Sequence, residues 1–313
     1  MERILEEKKR MGTNLTVELF GLRLRNPLIL ASGILGISGK LLKRIGESGA
    51  GAVVTKSSGL FPRKGYNGPI IVEVPNGLIN SLGLPNPGIE EMVKELNEAK
   101  ESGVPVIVSI YGFDVEQYCE AAKIASYAGA DAIELNVSCP HVKEVSVEIG
   151  QRPELVSEIV KGIKKIIDVP IIVKLSPNVS DIVSIARGVE KAGADAITAI
   201  NTVKAMSIDV EIQRPVLSNE IGGLSGPAIK PIALRCVYEI FKEVKIPIIG
   251  CGGVTYWRDV IEYLLAGASA VQIGTSIIQK DIQIFKNIQK GIGDYMQKKG
   301  IDSIQKLVGL AHK

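Results

Sequence analysis

The chain is predicted to be an α/β protein of one domain, a (β/α)8 TIM barrel with enlarged loops on its catalytic face. Three observations predict it. Eight short apolar runs recur along the 313 residues, each behind one of two alternating punctuation marks, a proline or an Ala-Gly-Ala turn. The runs are continuous and rich in β-branched residues rather than alternating, which suits parallel strands buried on both faces, and the intervals between them can hold a crossover helix. Each run also ends in polar or glycine residues, and in a barrel the carboxyl ends of the strands are where chemistry sits.

Strand 1 begins behind Asn26-Pro27 and ends at Ala31-Ser32-Gly33, and strand 2 begins behind Ala50-Gly51-Ala52 and ends at Thr55-Lys56-Ser57-Ser58. Strand 3 follows Val104-Pro105 and ends at Ser109. Strand 4 follows Ala128-Gly129-Ala130-Asp131-Ala132 and ends at Asn136-Val137-Ser138-Cys139-Pro140. Strand 5 follows Val169-Pro170 and ends at Lys174-Leu175-Ser176-Pro177, and strand 6 follows Ala192-Gly193-Ala194-Asp195-Ala196 and ends at Asn201-Thr202. Strand 7 follows Ile246-Pro247 and ends at Gly250-Cys251-Gly252-Gly253; strand 8 follows Ala266-Gly267-Ala268-Ser269-Ala270 and ends at Gly274-Thr275-Ser276.

The repeat runs from Asn26 to the region of Lys290, so residues 1–313 read as a single domain, with residues 1–14 as an N-terminal extension. A hydrophobic fraction of 46% supplies a large core, and a net charge of +3, with its basic residues scattered, argues against nucleic acid as partner. No apolar stretch approaches a membrane span, and Met1 to Gly12 is too charged for a signal peptide. The four cysteines, Cys119, Cys139, Cys236 and Cys251, form no C-x-x-C pair and no metal-like spacing with His141 or His312, which fits a reducing cytoplasm and no metal site. Cys119 and Cys236 fall in helical patterns and read as small buried hydrophobes, and Cys251 reads as packing.

Two intervals exceed a helix and two turns: Lys56 to Val104 and Asn201 to Ile246. Length added after a strand lies on the catalytic face. The first insertion, Phe61 to Gly88, carries Asn80-Ser81-Leu82-Gly83-Leu84-Pro85-Asn86-Pro87-Gly88 and reads as a lid or binding loop. The second ends in Gly222-Gly223-Leu224-Ser225-Gly226-Pro227, read as the opening of a helix whose backbone N–H groups could hold a phosphate. Gly252-Gly253 and Gly274-Thr275, after strands 7 and 8, occupy the common phosphate site of such barrels, so a phosphorylated ligand is expected. No P-loop or dinucleotide fingerprint occurs.

Cys139 leaves strand 4 at the start of a loop, where a thiol could be nucleophile, base or inert, with His141 two residues on. Lysines are costly to bury, so Lys56 and Lys174 at strand ends are more readily explained by an anionic ligand than by packing. Asn80, Asn136 and Asn201 offer donors and acceptors suited to a cyclic amide or imide.

Across these motifs the chain resembles the dihydroorotate dehydrogenases, from Thr16 to its C-terminus, and within their soluble class the NAD-linked subgroup. The resemblance implies oxidation of (S)-dihydroorotate to orotate on one non-covalent FMN, in de novo pyrimidine synthesis. It implies Cys139 as the base at C5, with a hydride leaving C6 for flavin N5. FMN contacts would come from Ser32, Lys56, Ser57, Ser109, Asn136, Lys174, Ile200, Gly226, Gly252, Gly253, Gly274 and Thr275. Substrate contacts would come from Lys56, Asn80, Ser81, Leu82, Gly83, Leu84, Asn136, Asn201 and Thr202. Ser109 and His141 depart from the subgroup, which often has asparagine at both positions. The subgroup's members pair with a subunit carrying FAD and a 2Fe-2S cluster, a homodimer of barrels lying within a heterotetramer.

Four other readings compete. A fumarate-linked homodimeric dihydroorotate dehydrogenase shares the site but not the partner. A reductase of free pyrimidine bases would have no carboxylate for Lys56 to meet. A lyase using Lys174 as a Schiff base would need no flavin, and a non-catalytic barrel would have no use for the polar strand ends.

Overall fold

A computed structural model describes residues 13–137 and 146–313. Eight strands, β1 (Leu28–Leu30), β2 (Ala52–Val54), β3 (Val106–Ile110), β4 (Ala132–Asn136), β5 (Ile171–Leu175), β6 (Ala196–Ala199), β7 (Ile248–Cys251) and β8 (Ala270–Ile273), are all parallel to their neighbours. They follow one another around the barrel in chain order, and β8 pairs with β1 to close it. From β1 through β6, and again in β8, every strand residue is buried, as the unbroken apolar runs require.

The helices between the strands show the complementary pattern. Pro153–Lys164 buries Val156, Ile159, Val160 and Ile163; Ile182–Lys191 buries Ile182, Ile185, Ala186 and Val189; Lys230–Phe241 buries Ala233, Cys236, Val237 and Ile240. Positions i, i+3, i+4 and i+7 make one stripe along a helix, and that stripe faces the sheet. Asp114 caps Val115–Tyr127 and Asp181 caps Ile182–Lys191, accepting from Gln117 N at 2.8 Å and Ser184 N at 3.0 Å.

The punctuation has a structural cause. Gly129, Gly193 and Gly267 take left-handed backbone at φ 87°, 97° and 113°, turning the chain out of a helix and into an even-numbered strand. In the first of these turns the left-handed residue is Gly49, at φ 113°, rather than the Gly51 that the motif singles out. Gly51 stands instead at the position of Asp131 and Asp195, where a Cβ would come within 2.1 Å of the Asn26 carbonyl oxygen. Asp131 accepts from Val106 N at 2.8 Å and from Lys100 Nζ at 2.9 Å; Asp195 accepts from Ile171 N at 2.7 Å and from Lys164 Nζ at 3.0 Å. Each aspartate thereby satisfies the first N–H of the preceding odd-numbered strand, which has no ladder partner there.

The long insertions do not form irregular loops. Ile71–Val74 and Gly77–Asn80 from the first, with Val203–Met206 and Ile221–Ser225 from the second, make one antiparallel four-stranded sheet. The two insertions meet at the register Gly223↔Asn80, Leu224↔Ile79 and Ser225↔Leu78. The expectation that Gly222 to Pro227 opens a helix holds only at the end of that segment: Gly222 to Ser225 are strand, and a short 3-10 turn from Pro227 leads into the helix at Lys230. A Cβ on Gly222 would meet Ile79 Cγ2 at 2.6 Å and Asn80 O at 2.8 Å, so that glycine serves close strand packing and not an anion.

A hairpin, Val17–Leu19 with Leu22–Leu24, leads into β1 and buries Val17, Leu19 and Leu24 in the main core. Asn14 is tied to the C-terminal segment through Asp302 O and Ile304 N, at 2.8 and 3.0 Å. The expected extension before it lies, up to Gly12, outside the described residues, as do Ser138, Cys139, Pro140 and His141.

Candidate active site

One cleft opens at the carboxyl ends of the strands, between the barrel mouth and the four-stranded sheet, and it gathers nearly all the residues that the sequence singled out. Strand ends supply Ser32, Lys56, Ser57, Asn136, Lys174, Ile200, Asn201, Thr202, Gly252, Gly253, Gly274 and Thr275; the insertions supply Asn80, Leu82, Gly83, Leu84 and Gly226. Two expected residues do not reach it. Ser109 is fully buried behind Ser57, its hydroxyl 2.8 Å from the Ser57 hydroxyl. Ser81 is fully buried on the far side of its turn, accepting from Asn219 Nδ2 at 3.2 Å. Alternation along an extended chain sends every second side chain away from the cleft, which a run of neighbouring motif residues does not reveal.

The polar wall is a connected chain. Asn136 donates through Nδ2 to Ser57 Oγ at 3.2 Å and accepts on Oδ1 from Asn201 Nδ2 at 3.2 Å, while Thr202 N donates to Asn201 Oδ1 at 2.8 Å. Ser109 thus meets the wall through Ser57, and it is not among the residues that line the cleft. The Asn80 to Leu84 turn is fixed from outside: Tyr66 N donates to Leu82 O at 2.9 Å and Arg63 Nε to Gly83 O at 3.1 Å. Gly83 and Leu84 are both left-handed there, at φ 72° and 58°.

The opposite wall is glycine. Gly252 and Gly253 lie at φ 135° and 70°, and added Cβ atoms would meet Ala233 Cβ at 2.8 Å and Lys230 Cβ at 2.8 Å. Only bare backbone fits between this loop and the helix beginning at Lys230. Thr275 Oγ1 donates to Ser225 Oγ at 2.8 Å, joining the phosphate-type loop to the inserted sheet. Ile200, Ile229, Val254 and Leu78 add apolar surface between the glycine wall and the amide wall. An anion-accepting glycine loop at one end, flat apolar and amide surfaces in the middle and two lysines fit a planar, phosphorylated cofactor.

The floor sets against Lys174 a charge that the motifs did not include. Lys174, 4% exposed, donates to Gln272 Oε1 at 2.8 Å and lies 3.8 Å from Glu134 Oε1. Glu134 is fully buried and accepts on Oε2 from Thr198 Oγ1 at 2.9 Å and from Gln272 Nε2 at 2.5 Å. Burial pulls the Lys174 ammonium down, but the neighbouring Cys251 and Glu134 outweigh it and hold its pKa above the ordinary value. Burial pushes the Cys251 thiol up, against the pull of Lys174. Cys251 thus lines the cleft beside Lys174, which corrects its assignment to packing. The legible signal was a glutamate inside the apolar run Ala132-Ile133-Glu134-Leu135, since a lone carboxylate is as costly to bury there as a lysine. Among the described residues no cluster of His, Cys, Asp and Glu could hold a metal ion, and no helix is long and apolar enough to cross a membrane.

Fold and cleft together define a (β/α)8-barrel enzyme built around a flat, anionic ligand. The family model for dihydroorotate dehydrogenase matches residues 14–296. The chain is 52% identical over 299 residues to the catalytic subunit of dihydroorotate dehydrogenase B (NAD(+)) of Pyrococcus abyssi, covering 96% of this chain and 99% of that protein. The corresponding subunits of Pyrococcus furiosus and Methanocella arvoryzae are 51% and 48% identical, over 96% of this chain and 99% and 98% of theirs. The chain belongs to the dihydroorotate dehydrogenase family and is an oxidoreductase of pyrimidine synthesis.

Proposed function

We propose that this chain is the catalytic subunit of an NAD-linked dihydroorotate dehydrogenase, in which the cleft holds one FMN and oxidises (S)-dihydroorotate to orotate. The observation that carries the reading is the convergence of a glycine loop, two lysines and three asparagines, from both the barrel and its insertions, on a single cleft. Gly252, Gly253, Gly274 and Thr275 would hold the phosphate, and Ser32, Ser57, Asn136, Lys174, Ile200 and Gly226 would hold the ring and its chain. Bound FMN would supply the hydride acceptor.

Lys56 neutralises the substrate carboxylate, and Asn80, Asn136 and Asn201 pair with its amide and imide edges; this charge is what favours dihydroorotate over a free pyrimidine base. Cys139, three residues past the end of β4, takes the C5 proton as general base. Lys174 places a fixed positive charge at the cleft floor, where negative charge would develop on the acceptor in a site closed to water. The Asn80 to Leu84 turn and the inserted sheet exclude that water.

The relatives' names pair the reaction with NAD(+) and describe a catalytic subunit, which favours this oxidant over fumarate. Electrons would leave through a partner subunit carrying FAD and a 2Fe-2S cluster, with a homodimer of barrels inside a heterotetramer. Acceptor-dependent turnover tests the reading. The isolated chain should be yellow, bind orotate with a flavin spectral change and reduce dichlorophenolindophenol with dihydroorotate. It should reduce NAD only when the partner subunit is added. Rapid turnover with fumarate by the chain alone would move it to the homodimeric subgroup, and a colourless chain that takes up no FMN would refute the cofactor.

A further inference from the structure

Glu134 is a fully buried carboxylate in the interior of the barrel, facing the cleft floor from β4. Three strands aim polar side chains at it or at its neighbour: Thr198 from β6 donates to Oε2, Gln272 from β8 bridges Oε2 and the Lys174 ammonium, and Lys174 from β5 lies 3.8 Å from Oε1. Among the described residues Oε1 has no hydrogen-bond partner, and the Lys174 ammonium lies 3.8 Å from it. Nothing in the core needs a carboxylate here, and an apolar residue would pack at lower cost. Gln272 is oriented by both groups at once, its carbonyl toward the lysine and its amide toward the carboxylate. The arrangement serves one end, a lysine that stays charged in a place where burial alone would discharge it.

We propose that Glu134 is a positioning residue for the cofactor: with Gln272 and Thr198 it holds Lys174 as a permanent ammonium under the cleft, so that reduction of the cofactor is insulated from lysine titration. The inference rests on the reading of the cleft as an FMN site. The ionisable and charged groups facing Lys174 among the described residues are Glu134 from β4 and Cys251 from β7; Gln272 and Thr198 are uncharged. Burial raises the Cys251 thiol while Lys174 lowers it, so Glu134 is the carboxylate that faces Lys174 and Cys251 is the second group, which the C251A variant separates from it.

The test is the midpoint potential of bound FMN as a function of pH in the purified chain. In E134Q the anion is gone, and burial lowers Lys174 into the working range. The potential should then lie above the wild-type line at low pH, where the floor carries one extra positive charge, and bend to meet it between about pH 6 and about pH 9. The bend should persist in E134Q/C251A and vanish in E134Q/K174M, and E134D should follow wild type. An E134Q profile parallel to wild type, or a bend surviving in E134Q/K174M, overturns the proposal. Should E134Q fail to fold, the wild-type apoprotein decides by lysine 13Cε NMR, with Lys174 identified by its loss in E134Q/K174M. Its signal must remain that of an ammonium through about pH 9, and titration below that pH overturns the proposal without any flavin present. A chain that binds no FMN at all would instead refute the cofactor reading and leave the NMR result standing.

Discussion

Asn80 and Gly223 are 143 residues apart in the chain, yet the Asn80 side-chain amide donates to the Gly223 carbonyl at 3.2 Å. That contact joins the two insertions and at the same time fixes an amide at the edge of the cleft. Asn80→Ala should therefore raise KM for dihydroorotate about tenfold, the worth of roughly one hydrogen bond, while FMN stays bound. Steady-state kinetics with a dye acceptor, alongside the flavin spectrum, check it. An unchanged KM would remove Asn80 from the substrate site.

Gly253→Ala tests the glycine wall. The new Cβ would lie 2.8 Å from Lys230 Cβ and 2.9 Å from Gly226 O, on a backbone at φ 70° that alanine adopts at a cost. The loop must shift, and FMN affinity measured by fluorescence quenching should fall about tenfold or more for a loss of roughly 1–2 kcal/mol. Circular dichroism should show the barrel intact. Unaltered FMN affinity would place the phosphate elsewhere.

Cys139→Ala should leave FMN bound and slow its reduction by dihydroorotate by about 10²-fold or more, as loss of a positioned base does. Cys139→Ser should keep part of the rate, displaced to higher pH because a hydroxyl is the weaker acid. Stopped-flow absorbance is the measurement, and an unchanged rate in Cys139→Ala would turn attention to His141.

Alkaline stability follows from the cleft floor. Lys174 and Cys251 both have folded pKa values above their ordinary ones, Lys174 because neighbouring charges outweigh its burial and Cys251 because of burial. A group whose pKa is raised by folding contributes stability that is complete below its unfolded pKa and is lost as pH rises through the folded one. Urea midpoints should thus begin to fall from about pH 8.5, where an unfolded thiol ionises, and the fall should continue beyond about pH 10.5, where an unfolded lysine does. In Cys251→Ala the earlier part of that fall should disappear. If the variant loses stability from the same pH as wild type, the thiol is not coupled to folding.

The barrel was legible because its signal is repeated and local. Proline entries, left-handed glycines and unbroken β-branched runs each report one residue's backbone preference, and eight copies leave little choice of topology. The strand-end residues were legible for the same reason, since barrel geometry converts chain position into a place on one face. What escaped depends on partners distant in sequence. That Gly222 and Gly223 belong to a strand is decided by Ile79 and Asn80, which lie in another insertion. Ser81 and Ser109 enter the expected contacts through the resemblance, and that their side chains meet Asn219 and Ser57 depends on segments 138 and 52 residues away. Glu134 went unassigned because its reason for burial, Lys174, is 40 residues further on, on the neighbouring strand.

The sheet assembled from both insertions sets an order of events during synthesis. Until Ile221–Ser225 has left the ribosome, Gly77–Asn80 presents an unpaired edge. Barrel closure waits longer still, for Ala270–Ile273 to dock against Leu28–Leu30. A nascent chain shorter than this already carries the roof strands and Gly252-Gly253 but lacks the Gly274-Thr275 loop and a closed barrel, so the cleft is complete only when synthesis is nearly finished.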